Sequence, residues 1–140
     1  MGLDQYAFAV MPHKDNTDFD YGWNDDNIPA DREVSKKIAQ WRKHSDLQGY
    51  MEALYHRKRS EQGLEDISDD WQAFNCKDLR LTFQDILDLR EAVTTKSLPH
   101  TEGFFFGATD EHHYAETATF IDDALKAISQ DMEIYYSSWW

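Results

Sequence analysis

The chain has one cysteine, Cys76, and a single cysteine excludes an internal disulfide. It has no apolar run long enough to cross a bilayer, and its start lacks the charged, then apolar, then small-residue order of a signal peptide. Basic residues are scarce, 14 Lys and Arg against 27 Asp and Glu, for a net charge of −13. A surface of that sign repels phosphates and anionic membranes and favours basic partners. The phosphate loop G-x-x-x-x-G-K-[ST] is missing, no G-x-G-x-x-G follows a strand, and there is no HExxH. These absences lead us to expect a cytoplasmic protein without a metal or other cofactor, without membrane attachment and without direct nucleic-acid binding.

What is present is enough for one core. With 140 residues, 41% hydrophobic and 14% aromatic, the chain is expected to fold as a single domain over 1–140. Its charge is uneven: residues 1–35 carry net −6, residues 36–60 net +5, and residues 61–140 net −12. The basic segment (Lys36, Lys37, Arg42, Lys43, Arg57, Lys58, Arg59) either pairs with the acidic parts or marks a local anion site, and pairing is the preferred reading.

The opening GLDQYAFAV alternates, with Tyr6, Phe8 and Val10 on one face and Ala7 and Ala9 on the other, as in a strand. The run 12–33, rich in Asp, Asn, Gly and Pro and interleaved with Phe19, Tyr21 and Trp23, reads as a long acidic aromatic loop. Ile38, Trp41, Leu47, Tyr50, Met51 and Leu54 predict a helix over about 33–60, with Ser45 and Gln48 as a capping box that restarts it and Gly63 to end it. WQAFNCKDLRL reads as extended, and Thr82 with Asp85 opens a second helix. In EGFFFG, three phenylalanines between Gly103 and Gly107 predict an interior strand, Phe104 and Phe106 on one face and Phe105 on the other. Thr109-Asp110-Glu111 starts a third helix over about 110–129, and MEIYYSSWW is a last strand, with Met132, Ile134 and Tyr136 opposite Tyr135 and Ser137. The expected class is α+β, a mixed or antiparallel sheet of three to four strands with about three helices packed on it.

Placed on an EF-hand template from Asn16, Asp18 and Asp20, Gly22 falls one residue late and Asn27 stands where Glu is needed, so the match fails. His112 and Glu116 lie four apart on one helix face, but a zinc site needs another ligand from His13, His44, His56 or His100. Cys76 with His100 as base would make a nucleophilic pair, although a cysteine between Phe74 and Leu79 reads more readily as inert. Ser137 and Ser138 lack a nucleophile-elbow sequence. Arg42, Lys43 and His44 after Trp41 could hold an anion while the indole stacks. His56 to Arg59 complement a helix C-terminus without any ligand.

Taken in order, MGLDQYAFAV, WRKHSDLQGYMEALY, FNC, LPHTEGFFFG and IYYSSWW resemble a family of small bacteriophage proteins whose members often carry the label phosphoglycerate kinase. A true phosphoglycerate kinase is a much larger two-domain enzyme with a nucleotide site and a basic substrate patch, so the label does not transfer to this chain. The resemblance spans most of the chain and is weakest in 12–33 and 60–72. It implies expression in an infected bacterial cytoplasm. It also singles out Trp41, Arg42, Lys43, Asn75, Cys76, Thr101, Gly103, Phe105, Gly107, Tyr135 and Ser138 as candidate ligand-binding positions, and it names no catalytic residue.

Three functional expectations remain open at this point. The first is a non-catalytic phage accessory protein that binds a host component through Asp18, Phe19, Asp20, Tyr21, Trp23, Asp25 and Asp26. The second is a small-ligand binder for a nucleotide-like anion held by Arg42 and Lys43 with stacking on Trp41 or Phe105. The third is an enzyme that depends on Cys76. A dimer through the C-terminal strand is a further option.

Overall fold

A computed structural model describes residues 2–24, 26–103 and 106–140. The elements run β1 (Asp4–Val10), β2 (Ser35–Arg42), α1 (Ser45–Glu61), β3 (Asp78–Leu81), α2 (Phe83–Thr94), α3 (Glu111–Ser129) and β4 (Glu133–Trp139). The strands form one antiparallel sheet in the order β2-β1-β4-β3, with the three helices packed on one face. The α+β class and the numbers of strands and helices agree with the sequence expectation, although one of the strands is a different segment.

Strand β1 alternates as its sequence demands, and its small side is the buried one: Gln5, Ala7 and Ala9 face the helices while Tyr6 and Phe8 are half-buried on the far face. Small residues in a central strand let helices approach the sheet closely, and larger side chains from the flanks fill the layer. Trp41, Leu79, Leu81, Ile134 and Tyr136 from the sheet meet Leu47, Met51, Ile86, Leu89, Phe120 and Ile121 from the helices.

The expected helix over 33–60 is half strand. Residues 35–42 pair with β1, and only 45–61 are helical. The cause is local. Partner residues run Ala7↔Ala39 and then Phe8↔Lys37, so Ile38 is an extra residue in β2, a bulge that breaks strict alternation and leaves Ile38 and Trp41 at a spacing that imitates a helix. The expected Ser45–Gln48 capping box is not formed either. The N-cap is His44, without a side-chain cap, and Thr109 Oγ1 accepts from Asp46 N–H at 3.0 Å in its place. Gly63 does end α1: at φ +72° it donates to Ser60 O while Leu64 N–H reaches Arg59 O, a Schellman closure.

Two further expectations are corrected. The extended reading of WQAFNCKDLRL survives only as Asp78–Leu81, the rest forming turns. In EGFFFG, Phe104 and Phe105 lie outside the described residues, and Phe106 sits in a turn closed by its N–H on Gly103 O at 3.1 Å, its ring buried edge-on to Trp140. The strand with two covered faces is β4, which pairs with β1 on one side and β3 on the other. Its position also withdraws the C-terminal strand as a dimer edge; the edges are β2 and β3.

The helices begin and join as their sequences suggest. Thr82 and Asp85 form the reciprocal capping box of α2, and Asp110 with His113 forms that of α3. Asp85 Oδ2 also receives Lys58 Nζ at 2.6 Å, and the same ammonium donates to Arg80 O, so a buried ion pair ties α1 to α2 and β3.

The loop between β1 and β2 folds back onto the far face of the sheet. Arg80 holds Asp18 Oδ1 through Nε and Nη2, Tyr135 Oη donates to Thr17 O and Asp20 O, and Tyr21 lies edge-on to Tyr135. Phe19 packs edge-on to Tyr55, with the Arg59 guanidinium over both rings.

Candidate functional site

Most of the candidate ligand positions gather at one end of the sheet, where β1 begins and β2 and β4 end. Chain direction alone brings Arg42, Lys43, Ser138 and the start of α1 there, because Asp4 pairs with both Arg42 and Trp139. Asn75, through its side chain, and Cys76, through its backbone, bond the main chain at the end of β4. Cys76 N–H donates to Ser138 O at 2.8 Å, while Asn75 Oδ1 accepts from Trp140 N–H and its Nδ2 donates to Trp140 O. Thr101 N–H reaches Asp46 Oδ1 at 3.0 Å. Gly49 lies so close beneath Thr101 that a Cβ there would fall 1.8 Å from its hydroxyl. Gly107, at φ +70°, lies against the Lys43 side chain, and Phe105 lies outside the described residues.

The side chains at this end are largely spent on the fold. Trp41 is 1% exposed, its indole N–H bonds Thr117 Oγ1 at 3.0 Å, and its ring lies edge-on to Phe120, so no face remains for stacking a ligand. Arg42 Nη1 bonds Asp4 at 2.8 Å. Ser138 Oγ accepts from Gln48 Nε2 at 2.9 Å. Tyr135 belongs to the opposite face, and burial raises its phenol above the ordinary range.

Behind these positions runs a sealed polar network. Gln5 Nε2 donates to His44 O and to Tyr136 Oη, both at 2.9 Å, Gln5 Oε1 accepts from His44 N–H, and Tyr136 Oη donates to Gln48 Oε1 at 2.6 Å. Burial drives the Tyr136 phenol well above its usual range and keeps it a donor. His44 stacks on His113 with centroids 4.9 Å apart, and its Nδ1 lies 3.0 Å from Thr109 Oγ1. Burial, reinforced by the facing His113, lowers the His44 pKa from 6.5 to about 3. A base that weak and that enclosed does not activate the threonine hydroxyl; the contact fastens Thr109 to the start of α1.

An open cavity of about 170 Å³ is left at this end, lined by Gly2, Asp4, Arg42, Trp139 and Trp140. Trp139 is 56% exposed.

The remaining candidate chemistry is dispersed. Cys76 is exposed at φ +61° with its thiol 3.6 Å from Asn75 Oδ1, whereas His100 pairs with Glu102. His112 pairs with Glu116 in solvent, His56 with Glu52, and His13 with the loop around Asp15 and Asn27. Among the described residues no group of three or more His, Cys, Asp or Glu is placed to hold a metal, and no helix is long and apolar enough to cross a membrane.

The candidate partner surface divides. Asp18, Phe19, Tyr21 and Trp23 are turned to the protein, Trp23 Nε1 donating to Met11 O at 2.8 Å; Asp20 and Asp26 stay exposed, and Asp25 lies outside the described residues. Sequence reasoning missed a different feature. Trp71 is 64% and Leu64 43% exposed, in the run 61–72 whose charge is net −5. The signal was legible: a tryptophan directly after Asp69 and Asp70, in a stretch without helical or strand periodicity.

Comparison of the chain with protein-family models, with curated proteins and with solved structures gave no match.

Proposed function

We propose that the protein is a non-catalytic binder of a host component, and that residues 61–72 carry the contact. The observation behind this reading is the exposure of Trp71 and Leu64 among Glu61, Glu65, Asp66, Asp69 and Asp70, all at the surface. Tryptophan dominates binding energy at interfaces when it enters an apolar pocket, and surrounding charge sets the partner's sign and the rate of encounter. A basic surface with one apolar recess is the complement. The run is already shaped: Ser68 N–H bonds Asp66 Oδ1 and Gln72 N–H bonds Asp70 Oδ1, each at 2.9 Å, so less freedom is lost on docking.

The test is capture of bacterial proteins by the intact chain, by Trp71→Ala and by a triple Asn variant at Asp66, Asp69 and Asp70. A partner held by the parent and lost from both variants supports the reading. Equal recovery by all three overturns it.

A further inference from the structure

We propose that the edge of β2 is a second binding site, which accepts an extended acidic segment of a partner protein as an added strand. An open groove of about 500 Å³ lies between this strand and the C-terminal turns of α3. Its floor is Ala9, Ile38, Ala127 and Met132, and its rim carries Lys36, Lys37 and Lys126 against one carboxylate, Asp123. Alanines at 9 and 127 leave the space open. In a chain of net charge −13, Lys36 and Lys126 at one groove make a local reversal of sign, while Lys37 turns its ammonium over the Tyr6 ring and onto Gln40 Oε1 on the far face.

Nothing described neutralises those lysines. Arg42, Arg57, Lys58, Arg80 and Lys96 each pair with a carboxylate, whereas Lys36, Lys37 and Lys126 form no ion pair with any described residue. The internal-pairing expectation for the basic segment therefore holds for Arg42, Arg57 and Lys58 and not for Lys36, Lys37, Lys43 or Arg59.

The backbone points to the same occupant. β2 has a neighbour on one side only, and among the described residues its main-chain groups over 36–41 bond to nothing but β1. The last residue is closed off by His113 Nε2 on Arg42 O at 2.7 Å. An edge strand of this kind is a template for another strand. Alternate side chains of an added strand face the groove, where a glutamate lays its methylenes over the alanines and its carboxylate between Lys36 and Lys126. A second copy of this chain is disfavoured as occupant, because β2 carries Lys36, Lys37 and Arg42 and no carboxylate, so a β2–β2 pair brings two positively charged strands together.

The probe is a capped, fluorescein-labelled heptapeptide alternating glutamate and threonine, with its lysine-for-glutamate counterpart and free glutarate as controls. Anisotropy at low salt gives affinity, and amide hydrogen exchange locates the site. The expected result is saturable binding of the glutamate peptide, slowed exchange within 36–41, and about tenfold or greater weakening by Lys36→Glu with Lys126→Glu, variants whose exposed side chains leave the fold intact. No saturable binding overturns the proposal. So does binding without slowed exchange in β2, equal binding of the lysine peptide, an equal effect of glutarate, or dimerisation through β2 in sedimentation. Trp71→Ala leaves this binding unchanged, which separates the site from that of residues 61–72.

Discussion

The two faces of the sheet are closed by different chemistry. On the helix side the closing groups are apolar side chains, a neutral hydrogen-bond network through Gln5, Gln48 and Tyr136, and one buried ion pair, Lys58–Asp85. On the loop side they are polar: a partly exposed Arg80 on Asp18, and a buried Tyr135 whose phenol reaches the carbonyls of Thr17 and Asp20. The lesson is that one sheet can carry a sealed face and an openable one, with adjacent tyrosines, 135 and 136, serving opposite sides.

The sharpest way to break that contrast is to remove one partner from each ion pair. Lys58→Ala leaves a buried carboxylate unpaired and should cost about 3–5 kcal/mol in chemical denaturation, whereas Asp18→Ala should cost at most about 1 kcal/mol. Similar losses from both would mean that the loop side is as enclosed as the helix side. Next come the tyrosines. Tyr136→Phe strands Gln5 and Gln48 and should cost about 1–3 kcal/mol globally. Tyr135→Phe should cost about 1 kcal/mol and show itself chiefly as faster hydrogen exchange within residues 12–24.

Acidity sharpens the comparison further, because the faces titrate in opposite senses. The folded chain keeps His44 neutral, with its pKa lowered from 6.5 to about 3. The unfolded chain takes up that proton, so this stability is full above about pH 6.5 and is lost as pH falls towards 3. On the loop side, burial and then the neighbouring Asp20 raise Asp78 from 3.8 to about 6. Here the folded chain holds the proton more tightly, so stability is full below about pH 3.8 and declines as pH rises through 6. Asp78→Asn should raise the denaturation midpoint at pH 7 and leave the loss on acidification in place. An unchanged profile above pH 4 would place Asp78 in open solvent. The smallest effect on stability is expected at Trp71, where Ala should change it by no more than about 0.5 kcal/mol while removing partner capture.

How much of this was legible follows from what each residue depends on. The starts of α2 and α3 could be read because their caps are local: Thr82 needs only Asp85, and Asp110 only His113. β2 could not, because a bulged edge strand with one neighbour has no clean period and takes its conformation from pairing with β1, far along the chain. Arg42, Asn75, Cys76 and Ser138 gather at one end of the sheet, but the roles of these side chains were hidden. Whether Trp41 stacks a ligand or bonds Thr117 is decided 76 positions away. The Lys36–Lys126 groove was equally out of reach, since it needs the sheet order.

The turn at Cys76 gives the molecule a built-in reporter. Its thiol is the chain's one cysteine, it is exposed, and its backbone is clamped to Ser138 O, so a maleimide dye or nitroxide attached there would tumble with the sheet. Five positions upstream stands the Trp71 indole, close enough along the chain for such a probe to register quenching when a partner covers it.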